Sequence, residues 1–248
     1  MDTSAEMVLT GDAMAIADIR REYGTGGLNR QDLELNPLMQ FDHWFKQAAA
    51  QSGGSRFRKV GIALFKLWQA ILGRSPADVN AMVLATVDKN GIPSTRTVLL
   101  KGVDERGFIF FTNYDSRKGH ELEENPNAAL TFYWPELERQ VCVAGQVTKV
   151  SRDESKKYFK GRPKGSRLSA WASDQSEVVE SREILESDWQ EIAKKFSSDD
   201  VPLPPNWGGY VLSPSRIEFW QGRASRLHDR FRYTLQTDGR WLLERLAP

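Results

Sequence analysis

The stretch Arg226-Leu227-His228-Asp229-Arg230 sets nitrogen-bearing side chains at alternate positions. On a strand Arg226, His228 and Arg230 would share one face, because strand side chains alternate, and the resulting strip suits an anion. An imidazole between two guanidiniums resists protonation, so His228 is expected to stay neutral and to hydrogen-bond a ligand. The same spacing fits a solvated basic edge strand. A second group is Arg96-Thr97-Val98-Leu99-Leu100-Lys101, where Arg96 and Lys101 face opposite ways on an ideal strand. Only a twist, a bulge or a strand end lets both serve one ligand. A third, Ser116-Arg117-Lys118, follows Phe111-Thr112-Asn113. Free amides at a helix N-terminus beside Arg and Lys make a phosphate cradle, or an ordinary Ser cap with surface charges. In the fourth, Tyr158 and Arg162 lie one helical turn apart. Pro163 disfavours further helix, so Ser166 must arrive from the following turn. Hydroxyl, guanidinium and hydroxyl again suit a phosphate. Two phosphate-competent sites point to a phosphorylated cofactor and a phosphorylated substrate. Trp171, Gln175, Ser176 and Trp220 add aromatic surface and amides nearby, with core packing the default for each Trp.

Other chemistries are excluded by what is missing. There is no G-x-S-x-G elbow, no phosphate loop ending in Gly-Lys-Ser/Thr and no H-E-x-x-H, and Gly24-Thr25-Gly26-Gly27 does not complete a dinucleotide fingerprint. His43, His120 and His228 are too scattered to suggest a metal centre, so no metal ligands are assigned. Lys plus Arg number 34 against 33 Asp plus Glu, and the net charge of +1 supplies no global field for nucleic acid. The single cysteine, Cys142, rules out an internal disulfide and fits a reducing cytoplasm. Residues 1–6 lack the layout of a secretory signal, and no apolar run reaches the roughly 18 residues of a membrane span. A soluble, cytoplasmic protein is expected.

The elements that must position these groups follow from the apolar pattern. With 248 residues, 40% hydrophobic and 27% charged, the chain can build one large domain with decorations. A helix is expected over 13–23, capped by Asp12 and ended by Gly24, Gly26 and Gly27. Another starts near Pro37, with Leu38, Phe41, Trp44 and Phe45 on one apolar face. From Ala81 the period becomes two, and Asn90-Gly91 joins strands over 81–87 and 95–101. Further strands are expected at 108–112, 128–134, 139–150, 209–220, 226–235 and 240–245, and helices at 116–124, 153–160 and 180–196. Short antiparallel strands with helices gathered at one end predict a β-barrel with α decorations, of the α+β class.

Read together, these stretches resemble the pyridoxine (pyridoxamine) 5′-phosphate oxidase family. The resemblance rests on Arg20-Arg21-Glu22-Tyr23 with Gly26-Gly27-Leu28, Asn36-Pro37-Leu38, residues 96–101, Thr112-Asn113, Ser116-Arg117-Lys118, Leu137-Glu138-Arg139-Gln140-Val141, Arg162-Pro163, Ala170-Trp171, Gln175-Ser176, residues 217–222, residues 226–230 and Arg245-Leu246-Ala247-Pro248. Each motif alone is weak, whereas their order and spacing together are specific. The resemblance implies an FMN-binding split barrel with a helical N-terminal extension, acting as a homodimer with FMN between subunits. It implies oxidation of pyridoxine 5′-phosphate or pyridoxamine 5′-phosphate to pyridoxal 5′-phosphate, with O2 as acceptor and H2O2 as product. Carried over by motif, Arg96, Thr97, Val98, Leu99, Leu100, Lys101, Phe111, Thr112, Arg117, Lys118, Gln140, Gln175, Ser176, Trp220 and Arg230 are FMN contacts. Lys101, Tyr158, Arg162, Ser166, Arg226 and His228 are substrate contacts, with Arg226 and His228 the groups over the reacting carbon. Arg20, Arg21, Glu22 and Tyr23 form a lid, and Asp78 lies near the substrate. Phe111 stands where the family commonly has tyrosine.

These readings divide the chain into residues 1–50, a helical extension and lid; 51–76, an inserted basic amphipathic helix; and 77–248, the barrel, all within one structural domain. The inserted stretch carries Arg56, Arg58, Lys59, Lys66 and Arg74 with an apolar stripe of Phe57, Val60, Leu64, Leu67 or Trp68, and Ile71. It fits a helix on an anionic membrane surface or one packed on the protein's own barrel or dimer, the reading taken here. Two rival functions are a split-barrel flavin oxidase for another aromatic substrate and a non-catalytic carrier of FMN or pyridoxal phosphate. The Tyr158, Arg162 and Ser166 set argues against the first, and Arg226 with His228 against the second.

Overall fold

The computed structural model describes residues 22–24, 26–53 and 79–248. Arg20, Arg21, Asp78 and the basic stretch 54–76 lie outside the described residues, as does most of the helix expected over 13–23. Glu22 and Tyr23 are not helical. The Gly24 amide goes to the Glu138 carboxylate at 3.0 Å rather than to a helical carbonyl.

Among the described residues nine strands form one curled antiparallel sheet in the order β2-β1-β5-β6-β7-β4-β3, with β8 on β7 and β9 on β8. The strands are β1 (Ala81–Val87), β2 (Pro93–Leu99), β3 (Gly102–Asp104), β4 (Gly107–Asn113), β5 (Asn127–Trp134), β6 (Arg139–Lys149), β7 (Trp207–Gln221), β8 (Asp229–Leu235) and β9 (Trp241–Leu246). The expected β1–β2 hairpin is present, with Asp88 Oδ1 accepting from the Asn90 and Ile92 amides at 2.8 Å across the turn. Strand β7 organises the sheet. Along β6 it pairs over nearly its whole length, while its other edge is shared by β4 and then β8. The sheet bends where the β6–β7 register shifts at Ala144/Gly145, opposite Pro214. A Cβ on Gly145 would lie 2.0 Å from the Ser213 carbonyl oxygen, so the bend requires glycine there.

Helix α1 (Pro37–Gly53) begins where expected and covers the concave face. Phe41 meets Phe108 edge-on at 4.9 Å, and Trp44 meets Phe219 at 5.2 Å. Both anchors are essentially fully buried, so truncating Phe41 to alanine should cost about 3–5 kcal/mol. Helix α2 (Arg117–Glu124) follows β4; α3 (Arg152–Lys160), α4 (Lys164–Ala172) and α5 (Arg182–Lys195) follow β6. The break expected at Pro163 is a junction between two helices: Pro163 occupies the N-cap of α4, where its missing amide costs nothing. Phe159, Leu168, Val201 and Trp207 form a smaller core beside a Pro-rich loop, residues 201–205. Arg152 holds that loop by donating to the carbonyls of Leu203, Pro204 and Trp207 at 3.2, 2.5 and 2.8 Å.

The strand expected over 226–235 starts only at Asp229. Arg226 closes a short 3-10 turn, Ala224–Arg226, in which Ser225 and Arg226 take φ of 55° and 61°. Alternation therefore does not align Arg226 with His228 and Arg230. The turn, not a strand face, sets where Arg226 and His228 lie.

Candidate active site

The sequence-predicted residues fall into three groups, two flanking β4 and one at the far end of β7. Thr112 and Phe111 are neighbours on β4 and so point to opposite faces.

On the Thr112 side, Lys118 is buried at the start of α2 and donates to Gln175 Oε1, Ser116 Oγ and Thr112 Oγ1 at 2.6, 2.8 and 3.1 Å. All three acceptors are neutral. Burial, reinforced by the nearby Arg96 charge, pushes the Lys118 ammonium down to about 8. Arg96 points inward from β2 and shares Glu121 with Arg117. The Glu121 carboxylate accepts from Thr86 Oγ1 (2.5 Å), Ser94 Oγ (2.7 Å), Arg96 Nη2 (3.0 Å) and Arg117 Nε (2.8 Å). Burial alone would raise this carboxyl, but these hydrogen bonds outweigh it and bring it down to about 2. Two cations, Arg96 and Arg117, thus converge on one buried carboxylate with the Lys118 ammonium beside them, and the excess positive charge suits a phosphate. Ser176 lines a recess of about 370 Å³ with Arg117, His120 and Glu121. Glu121 was not singled out from the sequence, although its i,i+4 spacing from Arg117 was a readable signal.

On the Phe111 side, a recess of about 530 Å³ is lined by Lys101, Phe111, Tyr158 and Arg162, among others. The Phe111 ring stacks on Tyr158 at 3.9 Å and 10°, and both lie parallel to Trp207. The Arg162 guanidinium sits over Trp207 at 4.6 Å. Its Nη1 is buried with no hydrogen-bond partner. Burial lowers the Arg162 pKa and raises that of Tyr158. A buried, unpartnered guanidinium nitrogen in an aromatic recess is the donor an anion would complete. Ser166 lies in the first turn of α4, its side chain with no hydrogen bond to another described residue. Lys101 lies just past the end of β2, its amide donating to the Ile109 carbonyl at 2.8 Å. No contact joins it to Arg96. Of the intervening residues, Thr97 and Leu99 face outward, Val98 packs on the core and Leu100 is buried.

At the far end of β7, Gln140, Trp220 and Arg230 stand in register across β6, β7 and β8. Glu218 Oε1 accepts from Arg230 Nε at 2.7 Å, and the Ala247 carbonyl accepts from Nη1 at 3.0 Å. The Trp220 and His228 rings lie 4.7 Å apart, and Tyr23 meets them edge-on at 5.5 and 5.4 Å. His228 Nδ1 accepts from the Arg223 amide at 3.1 Å, which places the proton of the neutral ring on Nε2. Arg226 is exposed and makes no ion pair with a described residue. From Gly209, opposite Phe111, to Trp220, β7 runs about 36 Å at roughly 3.3 Å per residue. Among the described residues no hydrogen bond, ion pair or ring contact joins Gln140, Trp220, His228 or Arg230 to Lys118 or Arg162.

Comparison with known proteins shows the family and the fold. A family profile described as pyridoxamine 5′-phosphate oxidase matches residues 74–196, and one described as the pyridoxine 5′-phosphate oxidase C-terminal dimerisation region matches residues 207–248. A pyridoxine/pyridoxamine 5′-phosphate oxidase of Nostoc punctiforme is 51% identical over 94% of this chain and 98% of its own length. One of Burkholderia mallei is 51% identical over 94% and 99%. Among solved structures, PhzG of Burkholderia lata in complex with tetrahydrophenazine-1-carboxylic acid aligns with a TM-score of 0.65 at 32% identity, over 79% of this chain and 100% of that one. A pyridoxamine 5′-phosphate oxidase-related, FMN-binding protein of Nostoc punctiforme aligns at 0.57 and 21%, over 77% and 99%. The curled sheet is the split barrel expected from the resemblance. This chain belongs to the pyridoxine/pyridoxamine 5′-phosphate oxidase family.

Proposed function

We propose that this chain is an FMN-dependent oxidase converting pyridoxine 5′-phosphate or pyridoxamine 5′-phosphate to pyridoxal 5′-phosphate, with O2 as acceptor and H2O2 as product. The observation that carries the reading is the buried Arg162 Nη1, unpartnered beside the Phe111–Tyr158 stack. That recess suits an aromatic ligand bearing an anion, as a phosphorylated pyridine does.

The donor set also fits FMN, since Lys118 is a buried cation whose hydrogen-bond acceptors are all neutral. Lys118, Arg117, Arg96, Thr112, Gln175 and Ser176 would hold the FMN phosphate, and residues 97–101 and Phe111 the rest of the molecule. FMN when bound supplies the two-electron acceptor, which no side chain of this protein can. The protein binds and orients. Tyr158, Arg162 and Ser166 anchor the substrate phosphate by charge-assisted hydrogen bonds. Lys101, Arg226 and His228 orient the ring, His228 offering Nε2–H as a donor. Arg20, Arg21, Glu22 and Tyr23 would close over the substrate and keep water away, with Asp78 near the substrate.

The far end of β7 takes part through a second copy. Gln140, Trp220, Arg226, His228 and Arg230 of one subunit complete the site that Lys118 and Arg162 begin in the other. The matched dimerisation region supports this homodimer; among described residues no helix is long and apolar enough to cross a membrane. Anaerobic mixing with pyridoxine 5′-phosphate and with unphosphorylated pyridoxine tests the reading. Flavin bleaching is expected with the phosphorylated compound at far lower concentration, and equal potency would contradict it.

A further inference from the structure

Glu138 belongs to no group described so far, yet its geometry is unusual. It ends the turn between β5 and β6 with φ of 53°, in the left-handed region, and is 4% exposed. Such a conformation at a buried non-glycine residue persists only where its surroundings hold it. Here the Glu138 carbonyl accepts from the Gly222 amide at 2.8 Å and from Gln221 Nε2 at 3.3 Å, which pins the turn to the end of β7. The carboxylate reaches the other way, and Oε2 accepts from the Gly24 amide at 3.0 Å.

That contact fixes the residue next to Tyr23. The Tyr23 ring in turn stands edge-on to Trp220 and His228, and His228 is oriented by the Arg223 amide. Gly222 leaves room for the junction. A Cβ there would lie 2.8 Å from Tyr23 Cδ1 and 3.0 Å from Glu138 Cβ. We propose that Glu138 is a positioning residue that latches the 22–24 segment, so that Tyr23 packs on Trp220 and His228 and holds the imidazole toward substrate. Its consequence for turnover rests on the oxidase reading above, whereas the latch itself does not.

The test uses the full-length, FMN-loaded protein and three variants. Glu138→Gly removes the carboxylate while suiting the positive φ, so it should fold. Glu138→Gln keeps an acceptor in place, and Gly222→Ala displaces Tyr23 from the other side. Amide exchange at Gly24 should accelerate about tenfold or more in Glu138→Gly, the effect of losing one hydrogen bond to a charged group. In Glu138→Gln it should stay within about threefold of the parent. The KM for pyridoxine 5′-phosphate should rise about tenfold in Glu138→Gly and Gly222→Ala, while FMN affinity stays within about twofold. Unchanged Gly24 exchange in Glu138→Gly overturns the latch, and so does a Gln variant as impaired as the Gly variant. A loss of FMN affinity matching the KM change would make Glu138 merely structural. Faster exchange with an unaltered KM would refute its role toward substrate. If no variant or parent oxidises either substrate, the oxidase reading falls and the exchange result still decides the latch.

Discussion

Binding of FMN should carry a proton with it, because Lys118 is held near a pKa of about 8 in the absence of an anion. Burial and the Arg96 charge destabilise its ammonium, while a phosphate dianion placed against it would restore the charge. If the bound value returns to about 10 or above, binding at pH 9 takes up about 0.8 to 0.9 proton, since only about a tenth of Lys118 is charged beforehand. The sign follows directly. Above pH 8 the free protein must first be protonated, so the FMN dissociation constant should rise about fivefold between pH 8 and 9 and about threefold more by 9.5. Below pH 8 it should be nearly flat until the FMN phosphate itself protonates near 6. Flavin fluorescence titration gives the constants, and calorimetry in buffers of unequal ionisation heat gives the proton count. Riboflavin, which lacks the phosphate, should show no such slope. Lys118→Met should weaken FMN by about 10- to 100-fold at pH 7 and abolish the slope. A flat profile in the parent protein, or the same slope in Lys118→Met, would refute the reasoning.

Three further outcomes follow from the same geometry. Glu121 has a carboxyl lowered to about 2 by its four donors against burial, so its contribution is full above about pH 4.5 and fades as pH falls toward 2. Urea unfolding of FMN-free Glu121→Gln should show a loss of about 3 kcal/mol at pH 7, narrowing to about half by pH 3; a gap independent of pH would contradict this. Arg162→Ala should raise the KM for phosphorylated substrate about 10- to 100-fold and leave FMN binding intact, and an unchanged KM would remove Arg162 from the phosphate site. Arg226→Ala should slow flavin reduction far more than it weakens FMN. Refolding it together with Arg162→Ala should recover turnover at low substrate concentration that neither variant shows alone, because one site of each hybrid dimer is then intact; no recovery would place both arginines in one subunit's contribution.

Much of the fold was legible because local signals agreed with the tertiary arrangement. Asn90-Gly91 marked the β1–β2 turn, and the apolar spacing of Phe41 and Trp44 marked the buried face of α1. Where a residue's conformation depends on distant partners, the pattern misled. Alternation through 226–230 suggested a strand, but Ser225 and Arg226 take left-handed backbone, which no spacing of side chains encodes. Pro163 was readable as a helix breaker, yet it starts α4 as readily as it ends α3. The cationic residues near β4 were recognisable by type and order. Their division into a Lys118 side and an Arg162 side came from the opposite faces of Thr112 and Phe111. Glu138 was invisible as a functional residue, since its role arises from Gly24 and Gly222, far from it in the chain.

The central claim is tested most directly by mixing FMN-loaded protein with pyridoxine 5′-phosphate in air and following pyridoxal 5′-phosphate and hydrogen peroxide together. The account predicts that both appear in equal amounts. Bound FMN with neither product, from this substrate or from pyridoxamine 5′-phosphate, would contradict it.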